Sequence, residues 1–196
     1  MKQVGALVMA GLIMAGCGKP DTTVVVGENG DKATISQNGQ SVTTTDAKGN
    51  TATATTNGSG TSYSDSKGNS MTANGSQVTT KSANGDSATI GANISESDLG
   101  LPFYPGSSEK KGASMIATQN GVKSVMSSRT TKDLPSKVLD FYKGKVENGK
   151  PSNIDSGDNK IIMLSGKSND GSDVEIMASK NGSADTEILV TVKHKG

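Results

Sequence analysis

Apolar positions gather towards the two ends of this chain. Val4 to Met14 is an apolar run, broken only by small residues, behind a basic start at Met1-Lys2. From Gly27 to Asp86, sixty residues, the only large apolar side chains are Ile35, Val42, Tyr63, Met71 and Val78. From Leu99 onward, 27 of the last 98 residues are Ile, Leu, Val, Met, Phe or Tyr. These three densities predict three kinds of structure.

The first run is too short to cross a membrane comfortably. Eleven residues rise only about 16 Å as a helix, against roughly 30 Å of hydrocarbon. Its length and its basic flank fit the apolar region of a signal peptide.

The middle is repetitive. Turn-like pairs recur at Asn29-Gly30, Asn38-Gly39, Gly49-Asn50, Asn57-Gly58, Gly68-Asn69, Asn74-Gly75 and Asn84-Gly85, and Asp46-Ala47-Lys48-Gly49-Asn50 returns nineteen residues later as Asp65-Ser66-Lys67-Gly68-Asn69. Asn, Asp and Gly tolerate positive φ, and Asp bonds nearby backbone amides, so each pair marks a tight turn. Between them lie β-prone pieces such as Ala33-Thr34-Ile35, Val42-Thr43-Thr44, Thr51-Ala52-Thr53-Ala54-Thr55 and Gln77-Val78-Thr79. A nineteen-residue unit of two strands with their turns follows. Five large apolar side chains in sixty residues cannot offset the entropy of ordering them around an ordinary core. That leaves a β-meander or narrow β-solenoid held by its backbone ladder, or a disordered polar stalk.

The C-terminal pattern is that of a compact domain. Leu99-Gly100-Leu101-Pro102-Phe103-Tyr104-Pro105-Gly106 forms a lead-in loop around an aromatic pair. Met115–Thr118 and Val122–Ser128 flank Asn120-Gly121 and predict a hairpin. Asp133-Leu134-Pro135 opens a helix, with Asp as the expected cap and Pro in the first turn. Its stripe is Leu134, Val138, Leu139, Phe141, Tyr142 and Val146. Strands follow at 160–165, 173–179 and 186–193, and the last, which does not alternate cleanly, reads as central and buried on both faces. The expectation is a mainly β chain with a small α+β C-terminal domain, ββαβββ, in which one helix packs on an antiparallel sheet. The divisions are 1–16 signal, 17–26 tether, 27–94 repeat segment and 95–196 compact domain.

Composition narrows the function. Twenty basic and 19 acidic residues give a net charge of +1, so no broad field favours nucleic acid. One cysteine and one histidine supply neither an internal disulfide nor a clustered zinc site. Each Asp-x-x-Gly-Asn turn offers one carboxylate, too few oxygens for calcium, so no metal or other cofactor is expected.

The single cysteine sits at the end of the first apolar run. Met14-Ala15-Gly16-Cys17 resembles the lipobox of bacterial lipoproteins, with Met14 in place of the usual leucine. The resemblance implies that Cys17 is diacylglyceryl-modified and becomes the mature N-terminus, a membrane tether. Each buried methylene contributes about 0.8 kcal/mol, so two or three acyl chains anchor stably. Gly18 stands where lipoproteins retained in the inner membrane carry Asp, which points to an outer membrane in a host that has two. The lead-in loop, the helix with its Phe-Tyr pair and the trailing strands are also similar to small domains of uncharacterised envelope lipoproteins. That likeness implies a shared fold and location and carries no catalytic residues.

Several motifs suggest chemistry that their surroundings do not complete. Ser107-Ser108-Glu109-Lys110-Lys111 holds Ser-x-x-Lys twice, without the further elements of penicillin-recognising enzymes. Gly166-Lys167-Ser168 lacks the first glycine of a phosphate loop and reads as a turn, and His194 as a solvated tail residue. Lys137, Lys143, Lys145 and Lys150 alternate with Asp133, Asp140 and Glu147, the pattern of a solvated face. The aromatic pairs Phe103-Tyr104 and Phe141-Tyr142 read as core and lid residues, with a shallow ligand or partner surface as the functional alternative. The expectation is a non-enzymatic envelope lipoprotein whose repeats present the C-terminal domain to an envelope partner. A small-ligand or enzyme-accessory domain is the alternative, and stacking of repeats through exposed strand edges is a third.

Overall fold

A computed structural model describes residues 22–36, 40–156 and 159–194. Cys17 and the apolar run Val4–Met14, which carry the expected lipid site and signal segment, lie outside the described residues. The described residues are mainly β, with fifteen strands in open antiparallel sheet and two helices among them. It divides into two compact units, 1–75 with 80–83, and 76–79 with 84–196.

The first unit carries β1 (Thr22–Val26), β2 (Lys32–Ser36), β3 (Ser41–Thr45), β4 (Thr51–Asn57), β5 (Gly60–Asp65) and β6 (Ser70–Asn74). Each strand pairs antiparallel with the next. β7 (Gln77–Lys81) is divided between the units. No residue described between Thr22 and Ala83 is fully buried. The strand ladder, rather than an interior, organises this unit.

Its two faces differ, because alternate residues of a strand point to opposite sides. One face carries the cross-strand rows Thr34–Thr43–Thr53–Ser64–Ser70 and Ser41–Thr55–Ser62–Thr72. The Thr43 and Thr53 hydroxyls lie 3.0 Å apart. The other face carries Ile35–Val42–Ala54–Tyr63–Met71, so four of the five large apolar residues of the repeat stand in one row.

The turns at one end of these strands repeat a single hydrogen-bonding scheme. Asp46 Oδ1 accepts the amides of Lys48 and Asn50, and the Asn50 side chain donates to Oδ2 at 2.7 Å. Asp65 does the same with Lys67 and Asn69. Gly49 and Gly68 close these turns at φ 84° and 91°, a region that favours glycine. Neighbouring turns are stitched sideways: Asp31 accepts the Ala47 amide at 2.9 Å, and Ser66 Oγ the Thr51 amide at 3.0 Å.

The second unit holds β8 (Ser87–Ile90), α1 (Glu96–Leu99), β9 (Ser108–Glu109), β10 (Met115–Gln119), β11 (Val122–Thr131), α2 (Pro135–Lys143), β12 (Glu147–Ser156), β13 (Asn159–Lys167), β14 (Asp173–Asn181) and β15 (Thr186–Lys193). Its strand order is β8-β10-β11-β15-β14-β13-β12, and β9 also pairs with β11. After β11, α2 leads to the far edge at β12, and three antiparallel steps return the chain to β15 beside β11. The last strand is therefore central.

Val138, Leu139 and Tyr142 of α2 join Leu164, Val174, Ile176, Ala178, Ile188, Val190 and Val192 of the sheet in one core. Leu99, Leu101 and Tyr104 of the lead-in complete it. Burying each large side chain contributes about 1.5–3 kcal/mol, the density the repeat segment lacks.

Three local details depart from the sequence reading. The ββαβββ scheme omits the two-residue β9 and β12, a strand with Asn148-Gly149 and Pro151 that carries little apolar signal. The scheme also lacks the short α1, whose Ser95 and Asp98 form a reciprocal cap. The N-cap of α2 is Leu134, with no side-chain cap bond, because the Asp133 carboxylate is engaged elsewhere.

Candidate functional site

The four aromatic residues singled out by sequence lie on the lead-in loop and on α2. Pro102 and Pro105 bracket Phe103-Tyr104, and helical spacing puts Phe141 and Tyr142 on neighbouring positions of the helix. Tyr104, Phe141 and Tyr142 form a chain of edge-on contacts, with ring centroids 5.4 and 4.8 Å apart. Tyr142 is buried and donates to Pro102 O at 3.1 Å; Tyr104 is buried and donates to Asp133 Oδ2 at 2.8 Å. Desolvation pushes both phenols up to about 12, and at Tyr104 the Asp133 carboxylate adds to it. The Asp133 carboxyl is held low, first by Lys137 and then by the Tyr104 hydroxyl.

Phe103 and Phe141 are half-buried, and each has a cation on its ring. The Arg129 guanidinium lies 4.0 Å from the Phe103 centroid, and the Lys145 ammonium 4.0 Å from that of Phe141. Arg129 also donates to Ser107 Oγ and Ser107 O, both at 2.7 Å. What this cluster offers the outside is two Phe rings with fixed cations, while its tyrosines serve the interior. Such a surface suits an apolar or anionic contact, since Arg129 and Lys145 are held by ring faces and by the neutral oxygens of Ser107 and Phe141.

The incomplete motifs have structural employment. Ser107 Oγ donates to Tyr104 O at 2.6 Å and receives Arg129, while Lys110 pairs with Glu187. Gly166 and Lys167 end β13, and Ser168 starts the turn to Ser172. His194 corrects its reading as solvated: Nε2 lies 2.8 Å from Asp98 O, and Nδ1 lies 3.4 Å from Ser172 Oγ. Lys137 and Lys143 pair with Asp133 and Asp140, at 3.0 and 2.9 Å. Among the described residues no group of three or more His, Cys, Asp or Glu is arranged to hold a metal ion.

Two further surfaces escaped the sequence reading. On the sheet face turned away from α2, Met163, Met177 and Leu189 stand side by side, and Met115 pairs with Met126. All five are half-buried. Period two was the available signal, since Met177 alternates with the buried Val174, Ile176 and Ala178 of its strand. In the first unit a hollow of about 400 Å³ has Val25, Ala33, Ala52 and Tyr63 on its floor. Lys32 and Lys67 line its rim beside the Asp46 and Asp65 turns. Those carboxylates are held low, first by the side chains of Asn50 and Asn69, so they serve the turns.

Comparison of the chain with protein families, with curated proteins and with solved structures found no match.

Proposed function

We propose that this protein is a lipid-anchored bacterial envelope lipoprotein, a non-enzymatic module in which a repeat spacer presents a compact C-terminal domain. The observation that carries the reading is the position of Cys17. It is the only cysteine, it ends the apolar run Val4–Met14 behind two small residues, and it precedes the first strand residue, Thr22, by five positions. An acyl chain there would hold β1 near a membrane surface, the outer membrane where the host has two. The repeat segment is then a β-meander, its length set by the number of hairpins, and the aromatic–cation surface of the second unit is where an envelope partner would dock.

The experiment is metabolic labelling with a palmitate analogue in a bacterial host. Wild type takes up label and loses its first sixteen residues, and Cys17→Ser remains an unlabelled precursor. Equal labelling of that variant would overturn the anchor.

A second reading, a small-ligand or enzyme-accessory module, draws on the hollow of the first unit, whose apolar floor lies under a charged rim. Ala52→Phe would fill it. Loss of a ligand that co-purifies with wild type, with the C-terminal unit unchanged, would favour this reading.

A further inference from the structure

The outer strand of the first unit, β1, and the outer strand of the second, β12, are not alike. β12 is blunted against further pairing: Pro151 lacks an N–H, the register shifts between Glu147 and Lys150, and Lys150 and Asp155 add charge. β1 has none of these devices. Its sequence is Thr-Thr-Val-Val-Val, uncharged and β-branched throughout, with Val24 and Val26 about half exposed. Among the described residues nothing pairs with its outer side.

The register says which groups are on offer. Gly27 donates to Asp31 O at 2.7 Å and closes the β1–β2 turn. Bonded pairs alternate along an antiparallel ladder, so Val25↔Ala33 and Thr23↔Ile35 are the next bonded pairs. Thr22, Val24 and Val26 therefore turn their N–H and C=O groups outward.

We infer that β1 is a self-association edge, which pairs antiparallel with β1 of a second copy of this chain about a two-fold axis through Val24. The segment is its own complement under that operation. Val24 faces Val24, Thr22 faces Val26 and Thr23 faces Val25, so every cross-strand pair is β-branched and no charges meet. The axis stands perpendicular to the sheet, so the hydroxyl faces of the two copies become continuous, and so do the apolar faces. The contact is isologous and closes at two copies, whereas pairing β1 with β12 would be heterologous and open-ended. The inference goes beyond the proposed anchor and is independent of it.

The test uses the full chain carrying Cys17→Ser, so no acyl chain contributes, in a density-matched detergent that disperses Val4–Met14. Sedimentation should show the protein mass rising with concentration towards twice that of one chain. Amides 24 and 26 should gain protection from hydrogen exchange as it does. Val24→Pro removes an outward N–H while Thr23 and Val25 keep β1 on β2, and Val24→Lys sets like charges opposite each other. Both variants should hold the single-chain mass with an unchanged far-ultraviolet circular dichroism spectrum. Thr23→Pro, which removes an inward N–H, should instead loosen β1 from β2. The inference is overturned by a concentration-independent single-chain mass, by dimers that survive both Val24 variants, or by growth beyond two copies. It is overturned as well by protection of the Val24 amide at single-chain mass, which would mean that the chain covers this edge itself. Failure of the anchor alone leaves these readouts intact, because Cys17 is absent from the tested protein.

Discussion

At the scale of single residues, the second unit secures its ends with side chains that sequence reading set aside. His194 lies between the turn 168–172 and the end of α1. Within that turn the Asp170 carboxyl is lowered from 3.8 to about 2, chiefly because the Ser168 hydroxyl donates to it. A carboxyl depressed in the folded state stabilises above its unfolded value and loses that contribution as pH falls through the folded value. The difference in melting temperature between wild type and Asp170→Asn should therefore stay constant down to about pH 4 and shrink towards about pH 2. A difference that grows on acidification would contradict the assigned bonds. Tyr142 gives a second residue-scale prediction. Tyr142→Phe loses the bond to Pro102 O and should cost about 1 kcal/mol in urea unfolding, whereas Tyr142→Ala should cost about 3–5 kcal/mol by opening a cavity.

At the scale of elements, turns and edges decide more than apolar content. In the β4–β5 turn, a Cβ at Gly60 would lie 2.1 Å from Ala73 O, at φ 151°, whereas one at Gly58 meets nothing within 4 Å. Gly60→Ala should therefore destabilise the hairpin by about 1–3 kcal/mol and Gly58→Ala should be near neutral, read by amide exchange across β4–β6. Equal protection in the two variants would refute the close approach. Much of this architecture was legible from sequence. Asn-Gly and Gly-Asn pairs such as Asn29-Gly30, Gly49-Asn50 and Gly68-Asn69 located turns because positive φ restricts which residues can stand there, while Asn38-Gly39 lies outside the described residues. The apolar run of β15 hid its alternation: it read as buried on both faces, whereas only Thr186, Ile188, Val190 and Val192, on one face, are fully buried. What escaped was set by pairing rather than by composition. β12 is a strand because β13 supplies its ladder, and neither Asn148-Gly149 nor Pro151 announces it. Among the candidate residues, Phe103, Tyr104, Phe141 and Tyr142 were found by type. The division into buried tyrosines and cation-capped phenylalanines depends on Arg129 and Lys145, and the loop-to-sheet contact of Arg129 crosses 26 positions of sequence.

At the scale of the whole chain, the compact C-terminal unit begins before its apolar composition does. β8 pairs with β10 from Ser87 to Ile90, four to seven residues ahead of Ile94, where apolar density first rises. A fragment of residues 84–196 should melt cooperatively and at higher temperature than one of 95–196, which leaves the outer side of β10 open. Equal melting temperatures would show that β8 adds nothing to that unit.

The identical turns at Asp46 and Asp65 also bear on how such a chain changes over generations. Each of these two nineteen-residue periods brings its own two strands and its own carboxylate-centred corner, and none of its residues is fully buried. Duplicating or deleting one period by slippage in the coding sequence would widen or narrow the sheet by two strand spacings, about 9–10 Å, with the backbone ladder restored one step along. The width of the first unit's sheet is in that sense a countable trait, adjustable in whole steps.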